Sequence, residues 1–579
     1  MTTTDWTPTG AGLGLSASEV PLLRFGVMEL DLKTGELRKA GVILHLPPQP
    51  FKILALLACR PGQLVTREEI QQEIWGSETF VDFEVGLNAA IKTIRDVLGD
   101  NPEVPRYIQT LPRRGYRFIY PVDVAPLRIE SIAVLPLENL SGDEEQEYFA
   151  DGMTEELTTT LGKIGSLRVI SRTSVMQYKK TKKPLPEIAR ELNVDGIVEG
   201  SVLHSGDRVR ITAQLIQAAT DKHLWAETYE RDLRDVLALQ GEVARAIARE
   251  IQVKVAPQEA ARLAKSRAVN PQAYEAYLKG RHLQFVADPK AFEFLQRATQ
   301  IDPTWAPAHA AMVVPTLLLG LPPMEACAKA RGSALKALEL DDTLSEAYSA
   351  MGWVRYQCDW DWPGAERDYQ RAIELDPTNS DARHFYSHCL LAMRRFDESL
   401  IESKRALERD PLSEVLIFHI AWHYVFTHQA DTAIEQCRKV LEVFPNSWQG
   451  HLFRMWAYEM KGLYEQAIAD ELDSKKAARL KRAYGRFGAQ GYWQSRLDFA
   501  LEQTKRGYVS PLHVAGFYAQ LGQKDEAFAW VEKAYEGRSF SMLEFSYHPM
   551  AEFSYHPMFD PLRSDPRFQD LLRRMKFPP

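Results

Sequence analysis

The chain has 579 residues, room for about four domains at roughly 150 residues each. Hydrophobic residues make up 45% and charged residues 26%, which excludes a mainly disordered, collagenous or disulfide-scaffold chain. A net charge of −8 leaves no global basic field, so any nucleic-acid surface has to be local.

The five cysteines, at 59, 327, 358, 389 and 437, include no C-x-x-C pair. Their odd number suits reduced, mostly buried thiols in a cytoplasmic protein. Residues 1–21 carry no Lys or Arg and lack the pattern of a signal peptide. Gly10, Gly12 and Gly14 are read as linker, because no strand precedes them and no helix follows. The most apolar stretch, 310–324, is shorter than the roughly 20 residues of a membrane helix, so no membrane partner is expected.

Residues 22–46 alternate as a small antiparallel sheet, with bends at Gly35 and Gly41. A helix over 51–59 follows, and Thr66 with Glu69 forms a capping box for a second helix. A third helix spans about 85–98, and 107–111 with 116–120 form a hairpin around Pro112-Arg113-Arg114-Gly115. In the third helix Leu87, Ile91, Ile94 and Leu98 form one apolar stripe. Asn88, Lys92 and Arg95 lie on another face. Such a helix can enter a major groove, with Asn pairing to adenine and Arg or Lys to guanine or phosphate. The hairpin tip Arg113-Arg114, with Tyr116 and Arg117, is placed to grip phosphate or reach the minor groove. The competing reading is a solvated helix face and an ordinary basic turn. Residues 21–125 hold 13 basic and 13 acidic side chains, but 86–120 hold six basic against three acidic.

The order sheet, three helices, basic hairpin resembles the winged-helix DNA-binding domain of the OmpR/PhoB class, in the variant also found in ToxR/CadC-type regulators. The matching strings are LPPQPF at 46–51, LVTR at 64–67, IW at 74–75, VDFE at 81–84, LNAAI at 87–91, Arg95, LG at 98–99 and IQTLPRRGYRF at 108–118. The resemblance implies contact with double-stranded promoter DNA. It also implies contact with RNA polymerase through the loop over 77–83, where Phe80, Val81 and Phe83 are apolar; burial of Phe83 under the third helix explains that residue equally well. The 20 or so residues ahead of the domain leave no room for the family's receiver domain, and 121–130 none for a CadC-type membrane span. The signal is therefore expected to enter through the remaining residues.

Residues 130–255 read as α/β, with a strand at 132–136, a helix at 148–164, a strand at 167–170, a helix at 186–192, strands at 194–203, 208–217 and 223–231, and an amphipathic helix at 233–255. The strings IAVLPLENL at 132–140, FADG at 149–152 and GSV at 200–202 resemble the TolB N-terminal-like domain. Asp143, Glu144, Glu145 and Glu147 are read as a solvated acidic loop, since they lack EF-hand spacing.

From about 272 the chain repeats itself. Pro303, Pro377, Pro411 and Pro445 each follow a small or β-branched residue by five positions and are spaced 74, 34 and 34 apart. This is the tetratricopeptide (TPR) pattern, whose helix pairs stack into a superhelix with a concave binding surface. Alignment on Gly352, Ser387, Ala421 and Met455 turns Trp353, His388, Trp422 and Trp456 toward the groove, with Ser349, His384, Phe418 and Leu452 one turn earlier. The ladder Trp353, His384, His388, Phe418, Trp422 and Trp456 is expected to bind a peptide or protein ligand; packing of the tryptophans against the next repeat is the alternative. His384 with His388, and His419 with His423, have i, i+4 spacing on two helical faces. Lone pairs of that kind carry little ligand signal, and no metal or cofactor is expected. EFSYHPM at 544–550 recurs at 552–558 and reads as a tandem duplication.

The fold class is therefore multidomain: an N-terminal winged helix-turn-helix (α+β), a central α/β domain and a C-terminal all-α TPR superhelix. The boundaries are a flexible tail over 1–20, the winged helix over 21–122, the TolB N-terminal-like domain over 130–255, the repeats over 272–540 and a cap over 541–579. The leading functional expectation is a cytoplasmic one-component transcriptional regulator with a TPR sensor. The alternative is a TPR assembly scaffold whose winged helix binds protein. No P-loop, nucleophile elbow or metal-ligand cluster appears, so an enzyme is not expected.

Overall fold

The computed structural model describes the chain except residues 1–21, 33–34, 40–41, 76–82, 125–128, 219–220, 254, 265–266, 286–287, 318, 320, 322, 506–508, 538–555 and 578–579. It divides into two compact units, Met1–Ile129 with Gln217–Lys222, and Glu130–Ile216 with His223–Pro579.

In the first unit, β1 (Leu22–Phe25), β2 (Met28–Asp31), β3 (Glu36–Lys39) and β4 (Val42–Leu44) form an antiparallel meander. Its alternation buries Leu23, Phe25, Met28, Leu30 and Leu37 on one face. Helices α1 (Pro48–Ala58), α2 (Arg67–Ile74) and α3 (Phe83–Leu98) follow. The capping box at Thr66 is present: its hydroxyl accepts from Glu69 N at 3.1 Å, and Thr66 N donates back to the Glu69 carboxylate at 2.7 Å. The hairpin β6 (Ile108–Leu111) and β7 (Gly115–Phe118) gains a third strand, β5 (Leu64–Thr66), which pairs with β7. The short β8 (Asp123–Val124) adds to the edge of the meander beside β1. Gly115 is required where β5 and β7 meet: φ is +150°, and a Cβ there would sit 2.1 Å from the Val65 carbonyl oxygen.

The second unit opens with β9 (Ser131–Val134), β10 (Glu138–Asn139), α4 (Glu147–Gly162), β11 (Arg168–Val169), α5 (Arg172–Met176) and α6 (Leu185–Leu192). Three long strands follow, β12 (Gly196–Ser205), β13 (Arg208–Gln217) and β14 (Lys222–Asp232), then α7 (Val236–Glu250). The sheet order is β11-β9-β12-β13-β14, with β10 beside β12; β9 runs parallel to both β11 and β12. The helical array then begins with α8 (Pro257–Ala264), α9 (Pro271–Phe285), α10 (Ala291–Ile301), α11 (Ala306–Ala311), α12 (Val313–Leu317) and α13 (Pro323–Leu340). The regular pairs are α14 (Ser345–Val354) with α15 (Trp362–Leu375), α16 (Ser380–Ala392) with α17 (Phe396–Arg409), and α18 (Glu414–Phe426) with α19 (Ala430–Val443). They continue as α20 (Trp448–Met460), α21 (Tyr464–Ala469), α22 (Ser474–Thr504), α23 (Pro511–Gln520), α24 (Lys524–Glu536) and α25 (Pro566–Arg574). Small residues where helices cross, such as Ser387, Ala406 and Ala421, are wholly buried.

One expectation is corrected. Cys327 and Cys358 are joined in a disulfide, while Cys59, Cys389 and Cys437 are buried thiols. The two partners lie 31 residues apart, close to the repeat period, so stacking α13 against the end of α14 brings their Cα atoms to 5.7 Å. Spacing along the chain gave no C-x-x-C signal because the repeat fold, not local sequence, makes the pair.

Candidate functional site

Helix α3 owes its orientation to the apolar stripe, since Leu87, Ile91, Ile94 and Leu98 are all buried. Asn88 and Lys92 are left exposed on the opposite side, one turn apart. Arg113 and Arg114 are exposed at the tip between β6 and β7, with Arg113 in the left-handed region at φ 63°.

Two of the expected DNA contacts are turned inward. Arg95 donates to the Ile108 carbonyl at 2.9 Å and to the Thr110 hydroxyl at 2.8 Å, tying α3 to the hairpin. Asp100, beside it, accepts from the backbone N–H groups of Arg106, Tyr107 and Ile108. Tyr116 is buried, and its hydroxyl donates to the Asn88 side-chain oxygen at 3.0 Å. These two side chains lie behind the exposed face of α3 and are not part of it. Arg117 is half-buried. A residue that the sequence did not single out is Arg67, at the start of α2. It pairs with Glu84 and lies 5.4 Å from the Tyr116 ring centre and 3.5 Å from Asn88. Asn88 is thus held by both Tyr116 and Arg67. Of the loop assigned to RNA polymerase, 77–82 lie outside the described residues; Phe83 packs edge-on against Trp75 with ring centres 5.2 Å apart.

In the repeats, the residues aligned toward the groove are packed together. Trp353, Phe418, Trp422 and Trp456 are each 5% exposed or less. Trp353 meets Phe385 of the following repeat at 4.2 Å between ring centres. His388, His419, Trp422, Phe426 and Trp456 continue a chain of ring contacts from α16 through α18 to α20. His556 joins it, 4.8 Å from Trp456. Trp353 therefore contacts the next repeat, the alternative left open by the sequence, whereas Trp422 and Trp456 meet rings of the repeat before them, His388 and Phe426. Of the histidines, His423 instead faces Ser399, whereas His384, His388 and His419 meet.

A cleft remains where α4 of the α/β layer faces the first repeats. Its lining includes Glu156, Tyr277, Arg281, Trp353, Asp381 and Phe385. Glu155, although burial acts against its charge, is held below the ordinary carboxylate range by Arg281 and Arg172. Burial, reinforced by Glu155, pushes Glu156 up to about 7. Burial also raises Glu346 and Asp381. Gly162 at the end of α4 allows the close approach, since a Cβ there would lie 2.1 Å from the Thr378 hydroxyl. In the acidic loop Asp143 accepts from Glu145 N, and Glu147 pairs with Lys179, beyond α5, at 2.8 Å.

Comparison with known proteins agrees with the first unit. Residues 41–118 match the family model described as "Transcriptional regulatory protein, C terminal". Among curated relatives, a putative adenylate cyclase 3 of Rhizobium meliloti is 38% identical over 239 residues, 39% of this chain and 40% of that protein. The cholera toxin homolog transcriptional activator of Vibrio parahaemolyticus is 32% identical over 93 residues, 16% of this chain and 32% of its own length. The transcriptional regulator HilA of Salmonella typhimurium is 20% identical over 392 residues, 65% of this chain and 68% of its own. The chain thus spans less than half the length of the first two. Among solved structures, DrrB, a Thermotoga maritima OmpR/PhoB homolog, is 38% identical over 17% of this chain and 44% of that one, with a TM-score of 0.16. No helix among the described residues is long and apolar enough to cross a membrane. The N-terminal domain is a winged helix of the OmpR/PhoB type.

Proposed function

We propose that the chain is a cytoplasmic one-component transcriptional regulator, which reads promoter DNA with α3 and the β6–β7 wing and receives its signal through the second unit. The observation that carries this is the placement of Asn88 and Lys92 on one exposed face of α3, in the domain whose wing presents Arg113 and Arg114. Asn88 is the base reader, because its amide is oriented by Tyr116 and Arg67. Lys92, Arg113 and Arg114 supply the phosphate contacts, which carry affinity but no sequence information. Arg117 supports the wing. The loop over 77–83 is our candidate for RNA polymerase. We read the α/β layer as TolB N-terminal-like and assign no catalytic role to it.

We place the repeat ligand, a peptide or protein segment, at the cleft beside α4, where Trp353 and Phe385 form part of the lining. The test uses the full chain in a genomic DNA selection followed by binding measurements at several salt concentrations. Arg113→Ala with Arg114→Ala should weaken binding to all sequences and lower the salt slope by about 2. Asn88→Ala should cost about 1–3 kcal/mol on the selected site and relax its base preference. Failure of the wild-type chain to enrich any DNA at low salt would overturn the reading.

A further inference from the structure

The ring chain through the repeats contains a cluster that aromatic packing alone does not account for. His384 and His388 project from one face of α16, and His419 reaches the same point from α18, the inner helix of the next repeat. One ligand-capable atom of each lies within 4.8 Å of the other two. The ring centres are 4.7, 4.5 and 4.3 Å apart. His384 and His419 are at least nine-tenths buried, and Nδ1 of His384 and Nε2 of His419 have no hydrogen-bond partner. A buried imidazole normally places both nitrogens, because an orphaned one loses its water without replacement.

The surroundings sort the three nitrogens by role. Ser403 Oγ lies 3.2 Å from Nδ1 of His419, which fixes that ring and leaves Nε2, the orphaned atom, pointing elsewhere. A hydrogen bond to the far ring nitrogen orients a ligating histidine. Trp422 stacks on His419 at 4.2 Å with an interplanar angle of 24°, walling one side of the cluster. A neutral imidazole carries one lone pair able to bind a metal. The i, i+4 pair on α16 is the spacing that places two imidazoles on one metal ion, and α18 supplies the third.

We propose that His384, His388 and His419 form a binding site for a divalent transition-metal ion of the zinc class, clamped between the inner helices of two successive repeats. The donor set is all imidazole, which suits zinc, cobalt, nickel or copper and disfavours calcium or magnesium. Ligand nitrogens on a tetrahedral zinc at about 2.0–2.1 Å sit roughly 3.3 Å apart, so small side-chain rotations close the cluster onto one ion. The fourth position is left to water. Bound there, the ion satisfies the orphaned nitrogens and joins α16 to α18, two helices whose leading turns face the α/β layer: Thr378 against Gly162, and Asp410 bonded to Ser174.

The test uses the tag-free full-length chain, stripped with a chelator, loaded with Zn2+ or Co2+ and gel-filtered, with the retained metal measured by mass spectrometry. The wild type should hold about one ion per chain, show visible ligand-field bands with Co2+ and melt at a higher temperature with Zn2+ than without. His388→Gln and His419→Gln should each lose at least tenfold in affinity, whereas His428→Gln, at an exposed histidine outside the cluster, should not change it. If His419→Gln fails to fold, His388→Gln at the less buried ring decides the matter. Retention of no ion by the wild type, or undiminished retention by a folded His388→Gln, would overturn the site.

Discussion

Glu156 shows how a single buried carboxyl records its surroundings. It sits on α4 facing the repeats, accepts from the Tyr277 hydroxyl at 3.2 Å and is pushed up to about 7 by burial, with Glu155 adding to the effect. A raised folded-state value means that the folded chain binds a proton that the unfolded chain has already lost. Stability from this group is full below the ordinary carboxylate range and is lost as pH rises through about 7. Above that, a charged carboxylate is buried beside another. Glu156→Gln keeps an acceptor for Tyr277 and removes the charge. Its stability relative to wild type should therefore increase between pH 5 and pH 8, by something on the order of 3 kcal/mol. Chemical denaturation of both proteins at the two pH values measures this; a difference that stays constant with pH would remove Glu156 from the account.

At the scale of elements, α3 and the wing divide their polar residues between exposed ones and ones bonded within the domain. Asn88, Lys92 and Arg95 share a helical face by spacing, and spacing made them look alike. They differ because the loop before β6 folds back on the helix, placing the Ile108 carbonyl and Thr110 hydroxyl within reach of Arg95 alone. Arg95→Ala should destabilise the winged helix by about 1–3 kcal/mol through those lost hydrogen bonds and leave Asp100 less well paired. Lys92→Ala should leave the melting temperature unchanged and weaken DNA binding in a salt-dependent way. The prediction fails if Arg95→Ala leaves stability intact and instead changes base preference. The same contrast marks what sequence could yield. The apolar stripe of α3, the capping box at Thr66 and the repeats were legible because each is a local pattern with its own period. Strand β5, three residues long, had no period to detect and exists because β7 offers it an edge. The burial of Tyr116, the Cys327–Cys358 pair and the meeting of His384, His388 and His419 depend on residues brought together from separate helices or strands, and no spacing rule reaches that far. The groove assignment of the tryptophans followed a register common to repeats; here large rings occupy it on successive repeats, and they fill one another's space.

For the molecule as a whole, the second unit joins what the sequence divides into an α/β segment and a repeat array. Ser171 N donates to the Arg409 carbonyl at 2.9 Å, Gln177 donates to the Leu412 carbonyl at 2.6 Å, and Ser174 bonds Asp410. Gln240 of α7 donates to the Tyr274 hydroxyl of α9 at 2.9 Å, inside a core that Met153 of α4 shares. Arg281 of α9 pairs with Glu155 of α4, and Arg172 approaches the same carboxylate at 3.5 Å. These contacts tie the layer to the repeats at several points along α4, α5 and α7. The α/β layer and the first repeats should therefore unfold in one cooperative transition, and a change at their junction should shift both. Arg281→Ala leaves Glu155 with Arg172 alone in buried surroundings and should cost about 1–3 kcal/mol, less than a fully buried pair because the Arg281 side chain is 29% exposed. Adding Glu155→Gln removes the stranded charge, so the double variant should recover part of the loss. Calorimetry with hydrogen exchange on α4, α9 and α16 follows both sides of the junction. Two separate transitions in the wild type, with Arg281→Ala moving only one, would mean that the contacts join the layers without coupling them, and a signal bound in the repeats would then have no route through α4.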